Sequence, residues 1–348
     1  MTPVSPLYGL DLEEAEELAQ REKIPAYRGR QILEWLYQKH ITDLKEASSL
    51  PAKMREDLAG RYEASSIRFE EAKKAGDGES VKFLFRTADG YLLESVLIAQ
   101  KDRRTVCVST QLGCKIGCSF CASGKGKFGR NLTAGEIVEQ VARIERQSGK
   151  VSNVVFMGMG EPLDNFEATM KALKILQAPW GFGLGARRIT VSTSGITPKV
   201  VEFVKRSEGR VRLSVSLHSS NEKTRSELVP INKRYTLKEL VEALGQIHRK
   251  LKREITFEYT LMEGINDSDS EAEGVAAIAK PLKAKVNLIP YNPIREMKYK
   301  TPSPEKVERF SSILQKKGVY VTVRQTAGRE IDAACGQLRL DRENPTAH

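Results

Sequence analysis

The sequence predicts an α/β protein, and three observations carry that expectation. The first 60 residues hold helical apolar stripes, residues 67–98 turn strand-like, and from about residue 105 strand and helix signals alternate. Leu10, Leu12, Ala15 and Leu18 recur at helical spacing, as do Ile32, Leu33, Leu36 and Tyr37, and Pro51 opens a third segment. The runs beginning at Val81 and Tyr91 are apolar and joined by Thr87-Ala-Asp-Gly90, a hairpin signal. Strands are expected at 105–109, 153–157, 188–192, 212–217, 255–261, 285–289 and 319–324. Between them, Thr133-Ala-Gly-Glu136 and Thr236-Leu-Lys-Glu239 read as capping boxes. Pro198 and Ser303-Pro304 suit first helical turns, whereas Gly149 and Gly318 suit helix ends. Six or seven βα repeats make a parallel sheet, either doubly wound or a complete or partial barrel, with the site at the C-terminal ends of its strands.

Composition narrows the function classes. Hydrophobic residues make up 40% of the chain and charged ones 29%, with no apolar run long enough to span a membrane, so a cytoplasmic protein is expected. Residues 1–95 carry 14 Lys/Arg against 18 Asp/Glu, and the remainder 42 against 27. A basic main body fits either simple solubility or a polyanionic partner such as RNA. Five cysteines, four of them within residues 107–121, do not resemble a disulfide scaffold and point to metal or redox chemistry.

Cys114-Lys-Ile-Gly-Cys118-Ser-Phe-Cys121 supplies three thiolates from one short loop. A [4Fe–4S] cluster usually takes four, so three leave one iron open to chelate S-adenosylmethionine, whose reductive cleavage gives a 5′-deoxyadenosyl radical. Gly113 and Gly117 give the loop freedom to wrap a cluster, and Phe120 is suited to shielding it. A zinc site completed by Cys107 or a histidine is the competing reading, but the paired half-site that zinc knuckles normally use is missing. Downstream, Gly158-Met-Gly-Glu161-Pro162 ends a strand, and two further strands end in Ser192-Thr-Ser-Gly195 and Ser216-Leu-His218. Glu161 can accept from an ammonium group, and the hydroxyls can bind a ribose or carboxylate. Taken singly, each hydroxyl is more often a helix N-cap, but three such strand ends in succession suit one pocket.

With these motifs in place, the sequence resembles the RlmN/Cfr family of radical S-adenosylmethionine RNA methyltransferases. The matching stretches are 107–121, 131–136, 156–163, 188–195, 216–218, 229–235, 287–293 and 331–338, in order along most of the chain. The resemblance implies a partial (βα)6-type barrel at 96–348, preceded by a helical accessory domain and hairpin at 1–95 that dock RNA. It implies that one S-adenosylmethionine methylates Cys335 and that a second, at the cluster of Cys114, Cys118 and Cys121, yields the radical. The radical takes hydrogen from the S-methyl group, and the carbon radical adds to adenine. Cys107 then attacks Cys335, releasing the methylated base and a disulfide. A radical route suits adenine C2, which is electrophilic and offers no lone pair for ordinary methyl transfer.

By the same resemblance, Gly160, Glu161, Ser192, Ser216, Leu217, His218 and Asn292 match positions that contact S-adenosylmethionine, and Glu94 matches a proton acceptor. On the residues alone, Cys335 competes with a buried structural thiol, Cys107 with a core strand position, and Glu94 with an ordinary strand carboxylate. Pro162 and Pro290 resemble the RlmN pattern, which implies methylation at C2 of a 23S ribosomal RNA adenine and, in some members, of a tRNA adenine. The Cfr pattern implies C8. An electron donor such as flavodoxin is a further implied partner. The basic stretches around Lys101–Arg104 and Lys125–Arg130 are expected to flank the cluster loop and steer phosphate toward it.

Overall fold

The computed structural model describes residues 6–76, 78–294, 297–324 and 331–338. Helices α1 (Leu12–Arg21), α2 (Tyr27–Tyr37) and α3 (Ala52–Ala59) form the N-terminal region. Asp11 and Glu14 make a capping box at the start of α1, and Tyr8 packs edge-on against Tyr37 with ring centroids 5.7 Å apart. A meander of β1 (Ile67–Lys74), β2 (Ser80–Thr87) and β3 (Leu92–Gln100) follows, the last two joined by the expected turn. The strand β1 was not resolved in the sequence, because its exposed Arg, Glu and Lys residues belong to a sheet edge and leave no apolar alternation.

The main body contains β4 (Arg103–Cys107), β5 (Asn153–Phe156), β6 (Ile189–Thr193), β7 (Arg212–Ser216), β8 (Thr256–Leu261), β9 (Lys285–Pro290) and β10 (Val321–Val323). All seven run parallel, and the ten strands are ordered in the sheet as they are in sequence. Sequential order rules out a doubly wound sheet, which reverses direction at a switch point. No pairing joins the two sheet edges among the described residues, so the architecture is a partial barrel continued by the hairpin strands. Residue 95, where the sequence reading divides the chain, lies within β3.

Helices α4 (Ala134–Ser148), α5 (Phe166–Gln177), α6 (Thr197–Arg206), α7 (Glu222–Leu228), α8 (Leu237–Ile247), α9 (Asp269–Ala279) and α10 (Pro304–Lys316) connect the strands. Both expected capping boxes form, at Thr133–Glu136 and Thr236–Glu239. Alternation along the strands separates two faces. Val106, Val154, Val191, Leu213, Phe257 and Leu288 are buried in the core beneath the helices. The opposite face turns Cys107, Val155, Ser192, Ser216, Glu258 and Ile289 into the barrel. None of the helices among the described residues is long and apolar enough to cross a membrane.

The N-terminal region is fastened to the barrel by a buried charge. Glu139 of α4 accepts from Ser66 N (2.7 Å), Ser66 Oγ (2.6 Å), Ser65 Oγ (2.5 Å) and Ile67 N (3.2 Å), and pairs with Arg143 at 2.6 Å. Close contact between backbones adds to this: a Cβ on Gly135 would stand 2.2 Å from the Tyr8 carbonyl oxygen. Replacing Glu139 with Ala would leave the Arg143 guanidinium buried and unpaired. Glu139→Ala is expected to cost about 3 kcal/mol or more of stability, read from urea unfolding followed by circular dichroism.

Candidate active site

The C-terminal ends of the parallel strands open on one cavity, and most of the singled-out residues meet there. Cys107, Cys114, Cys118, Cys121, Gly160, Glu161, Ser192, Ser216, His218 and Cys335 all line it. Leu217, Asn292 and Glu94 are not among its walls. Leu217 is fully buried, with its carbonyl accepting from Arg225 Nε at 3.1 Å. Asn292 donates from Nδ2 to the Cys335 carbonyl at 3.3 Å, so it holds the cysteine's loop. Glu94 is buried on β3 and pairs with Lys82 at 3.0 Å. It shares a strand face with Val96 and Ile98, which do line the cavity.

The cluster loop follows β4. Its glycines adopt positive φ, +76° at Gly113 and +70° at Gly117, and a Cβ on Gly113 would stand 2.8 Å from the Lys127 carbonyl oxygen. Cys114, Cys118 and Cys121 pack with Ile116 and Phe120 in one apolar cluster. Burial pushes the Cys114 thiol up to about 12 and raises Cys118 and Cys121 as well, with the neighbouring cysteines adding repulsion. Three thiols crowded in an apolar wall disfavour being anionic until a cation sits among them, which is the donor chemistry of an iron–sulfur cluster. Among the described residues no three His, Cys, Asp or Glu side chains are placed to hold a single metal ion. Phe120 meets the His218 ring edge-on at 4.7 Å, so it closes the cavity beside the cluster loop.

Glu161 is fixed rather than free. Its oxygens accept from Ser194 N (2.7 Å), Ser194 Oγ (2.8 Å) and Leu163 N (3.0 Å). Burial raises its pKa while these donors oppose the rise. The neighbouring glycines answer to the adjoining strand end: a Cβ on Gly158 would meet the Val108 carbonyl oxygen at 2.7 Å, and one on Gly160 would meet the Gln111 side chain at 2.5 Å. His218 accepts from Thr260 N through Nδ1 at 3.0 Å, which leaves the proton on Nε2. Burial, then the Arg225 charge, lowers its pKa to about 3. His218 has a φ of +57°, and Asn266 secures that backbone by donating to the His218 carbonyl at 2.7 Å.

Four side chains escaped the sequence reading. Arg225 is fully buried and donates to the carbonyls of Leu217 (3.1 Å), Ser194 (2.8 Å) and Ser216 (3.1 Å), and to Asn232. Glu258 accepts from Ser214 Oγ at 3.0 Å and Asn287 Nδ2 at 2.7 Å. Arg324 lines the cavity and hydrogen-bonds Cys335, with Glu258 and Cys107 acting on its charge. Asn266 completes the set. Their partners Asn287 and Asn232 fall inside stretches already singled out; the four themselves sit at ordinary helix, strand and loop positions.

Cys335 reaches the cavity because its loop docks on the cluster loop. Ala122 N donates to the Gly336 carbonyl at 2.8 Å, and Ser123 Oγ to that of Leu338 at 2.7 Å. The cysteine is exposed to solvent at the cavity, as its small and polar flanks suggest. Crowding by protein atoms raises its thiol pKa, and Arg324 lowers it. Cys107 lies at the end of β4 with its thiol pushed up to about 12 by burial, then by Cys335.

Of the two basic stretches, Lys125–Arg130 follows the cluster loop as expected, with Lys125 and Lys127 exposed, and Lys101–Arg104 does not flank it. Lys101–Arg104 lead into and begin β4, whereas the cluster loop follows it, so the two lie at opposite ends of the strand. Arg130 is occupied by Asp89 at 2.6 Å and Glu136 at 2.7 Å.

Two outcomes follow from these contacts. Arg225→Met strips hydrogen bonds from four buried acceptors and should cost about 4 kcal/mol in chemical denaturation. His218 has a folded pKa below its unfolded one, so the unfolded state binds the extra proton between about pH 3 and pH 6.5. Stability is therefore lost as pH falls below 6.5, by up to about 1.4 kcal/mol per pH unit. Denaturation across pH 5–7 should show a slope smaller by that amount in His218→Asn.

Comparison with known proteins agrees with the geometry. Residues 6–64 match the ribosomal RNA large subunit methyltransferase N-terminal domain, and residues 108–272 the radical SAM superfamily. The "Probable dual-specificity RNA methyltransferase RlmN" of Geobacillus kaustophilus (strain HTA426) is 43% identical, the alignment covering 97% of this chain and 93% of that protein. The same name belongs to a Symbiobacterium thermophilum protein, 42% identical over 96% of this chain and 91% of its own. A crystal structure of a radical SAM methyltransferase from Sphaerobacter thermophilus superposes with a TM-score of 0.93 at 45% identity, covering 97% of this chain and all of that one. The chain belongs to the RlmN family and is a radical S-adenosylmethionine RNA methyltransferase, a family that implies a [4Fe–4S] cluster and S-adenosylmethionine as its cofactors.

Proposed function

We propose that this enzyme methylates C2 of an adenine in 23S ribosomal RNA, and of an adenine in tRNA, through a methyl group carried on Cys335. The observation that carries the reading is that Cys107 and Cys335 open on the same cavity as the three cluster cysteines. Cys114, Cys118 and Cys121 would hold the cluster. Gly160, Glu161, Ser192, Ser216, Leu217, His218 and Asn292 would hold S-adenosylmethionine, the last through the Cys335 loop. Bound there, the cluster and S-adenosylmethionine supply a 5′-deoxyadenosyl radical, with electrons from a donor such as flavodoxin.

The chain's own residues divide the remaining work. The Cys335 sulfur takes a methyl group as a thiolate, and the Arg324 cation beside it favours that form. After the methyl carbon bonds to adenine, the Cys107 thiolate attacks the Cys335 sulfur. An S–S bond forms as the sulfur–carbon bond breaks, its electron pair going to the methylene carbon, which takes up a proton to become the methyl group. The one electron given up as the adduct loses its proton would return to the cluster. Glu94 serves as the acceptor for the proton lost from the base; Lys82, 3.0 Å away, supports its charged form. The helical N-terminal region within 1–95 docks the RNA, and 96–348 carries the chemistry.

The test is anaerobic reconstitution with RNA and S-adenosylmethionine, followed by nucleoside mass spectrometry. A C2-methylated adenine is expected with wild type and none with Cys335→Ala. A product methylated at C8 would overturn the choice of position, and a normal yield from Cys335→Ala would overturn its role as carrier. Cys118→Ala is expected to remove iron and acid-labile sulfide from the reconstituted protein, measured by elemental and colorimetric analysis.

A further inference from the structure

At the end of the barrel away from the catalytic cavity, three arginines stand at neighbouring strand starts. Arg103 is the first residue of β4, Arg212 the first of β7, and Arg188 immediately precedes β6. Arg103 shares a strand face with Cys107, and Arg212 with Ser216, both of the cavity wall. Arg188 ends the 3-10 turn that leads into β6, and its charge acts on Arg103, so all three gather at the barrel's N-terminal mouth. Among the described residues none of them has a carboxylate at ion-pair distance. Glu254, which precedes β8 at this end, is already paired with Lys285 at 2.6 Å. The crowding is felt: burial, then Arg212, Arg188 and Arg324, lowers the pKa of Arg103.

The wall between the two ends is hydrophilic. Thr105, Thr190, Ser214, Thr256, Asn287 and Thr322 occupy inward positions, where barrels ordinarily carry bulky branched residues. Like-charged guanidinia converging on such a space repel one another unless an anion joins them. Their planar forks match the paired oxygens of a phosphoryl group. Beside the mouth, a groove lined by Arg249, Lys252, Arg253 and Lys283 extends the positive surface.

We propose that the N-terminal mouth of the barrel is a phosphate-binding site formed by Arg103, Arg188 and Arg212. The phosphoryl group belongs to a free phosphate compound or to an RNA backbone. The site is separate from the catalytic cavity and does not depend on the assignment of Cys335.

Inorganic phosphate titrated into the full-length reconstituted protein, with chloride holding ionic strength constant, tests this by calorimetry. Wild type is expected to bind saturably. Arg188→Gln/Arg212→Gln should bind at least roughly tenfold more weakly, whereas the exposed pair Lys238→Gln/Lys316→Gln should match wild type. No saturable binding by wild type, or equal binding by the arginine variant, overturns the proposal. Arg103→Lys, which keeps the charge and loses the fork, gives the same reading with weakened binding should the double variant fail to fold. Anisotropy of a labelled single-stranded RNA across salt concentrations identifies the source. A log–log slope shallower by roughly 1.4 in the double variant assigns the phosphate to RNA. An unchanged slope with weakened phosphate binding assigns it to a free compound.

Discussion

The cavity depends on one buried guanidinium. Arg225 lies on α7, the helix that follows β7, yet its donors reach the ends of both β6 and β7 through the carbonyls of Ser194, Ser216 and Leu217. Those carbonyls lie where the strands stop and the ladder no longer satisfies them. Without it the carbonyls of Ser194 and Ser216 would turn to water, while that of Leu217 keeps Ser219 N at 2.8 Å, and water at that place would open the wall carrying Ser192, Ser216 and His218. Burial lowers the pKa of Arg225 only to about 10, so it stays charged at neutral pH. A charged donor in a dry wall is a strong one. Glu161 depends on it at one remove, because the same Ser194 whose carbonyl serves Arg225 presents its N–H and hydroxyl to that carboxylate.

A second constraint brings the chain's last described segment to the first loop of the barrel. The Cys335 loop has little core of its own, and its place is set by hydrogen bonds to Ala122 and Ser123 on one side and to Asn292 and the Pro293 carbonyl on the other. Two cysteines more than 200 residues apart thus share a wall with three that come from eight consecutive positions. The geometry separates their tasks. The trio sits among Ile116 and Phe120, where a cluster is shielded from water, and Cys335 sits beside the Arg324 cation, where a thiolate is favoured.

What was legible in the sequence was whatever local spacing encodes. The capping boxes at Thr133 and Thr236, the hairpin turn before Tyr91 and the cysteine trio all depend on residues within a few positions of one another. The parallel strands were legible because their outward faces alternate with polar inward ones, and β1 was not, because an edge strand shows no such contrast. Whether the sheet was doubly wound or a barrel is a matter of strand order, which no short motif records. Arg225, Asn266 and Glu258 matter through partners up to 48 positions away in sequence, and Arg324 through Glu258 and Cys107, the latter more than 200 positions away. An arginine on a short helix and an asparagine in a loop carry no local mark of such a role.

The misplaced basic stretch shows the same limit at work on charge. Lys101–Arg104 and the cluster loop are neighbours in sequence, and linear proximity suggested a shared electrostatic role. The strand that begins at Arg103 carries the chain about 13 Å away by Cys107, since an extended chain rises roughly 3.3 Å per residue. Arg103 consequently joins Arg188 and Arg212 at the far mouth of the barrel rather than the thiols at the near one. In a parallel barrel every strand sorts its two termini to opposite ends, so residues before the strands act together, as do residues after them. Position relative to the strand, more than distance along the chain, decides which charges belong to which site.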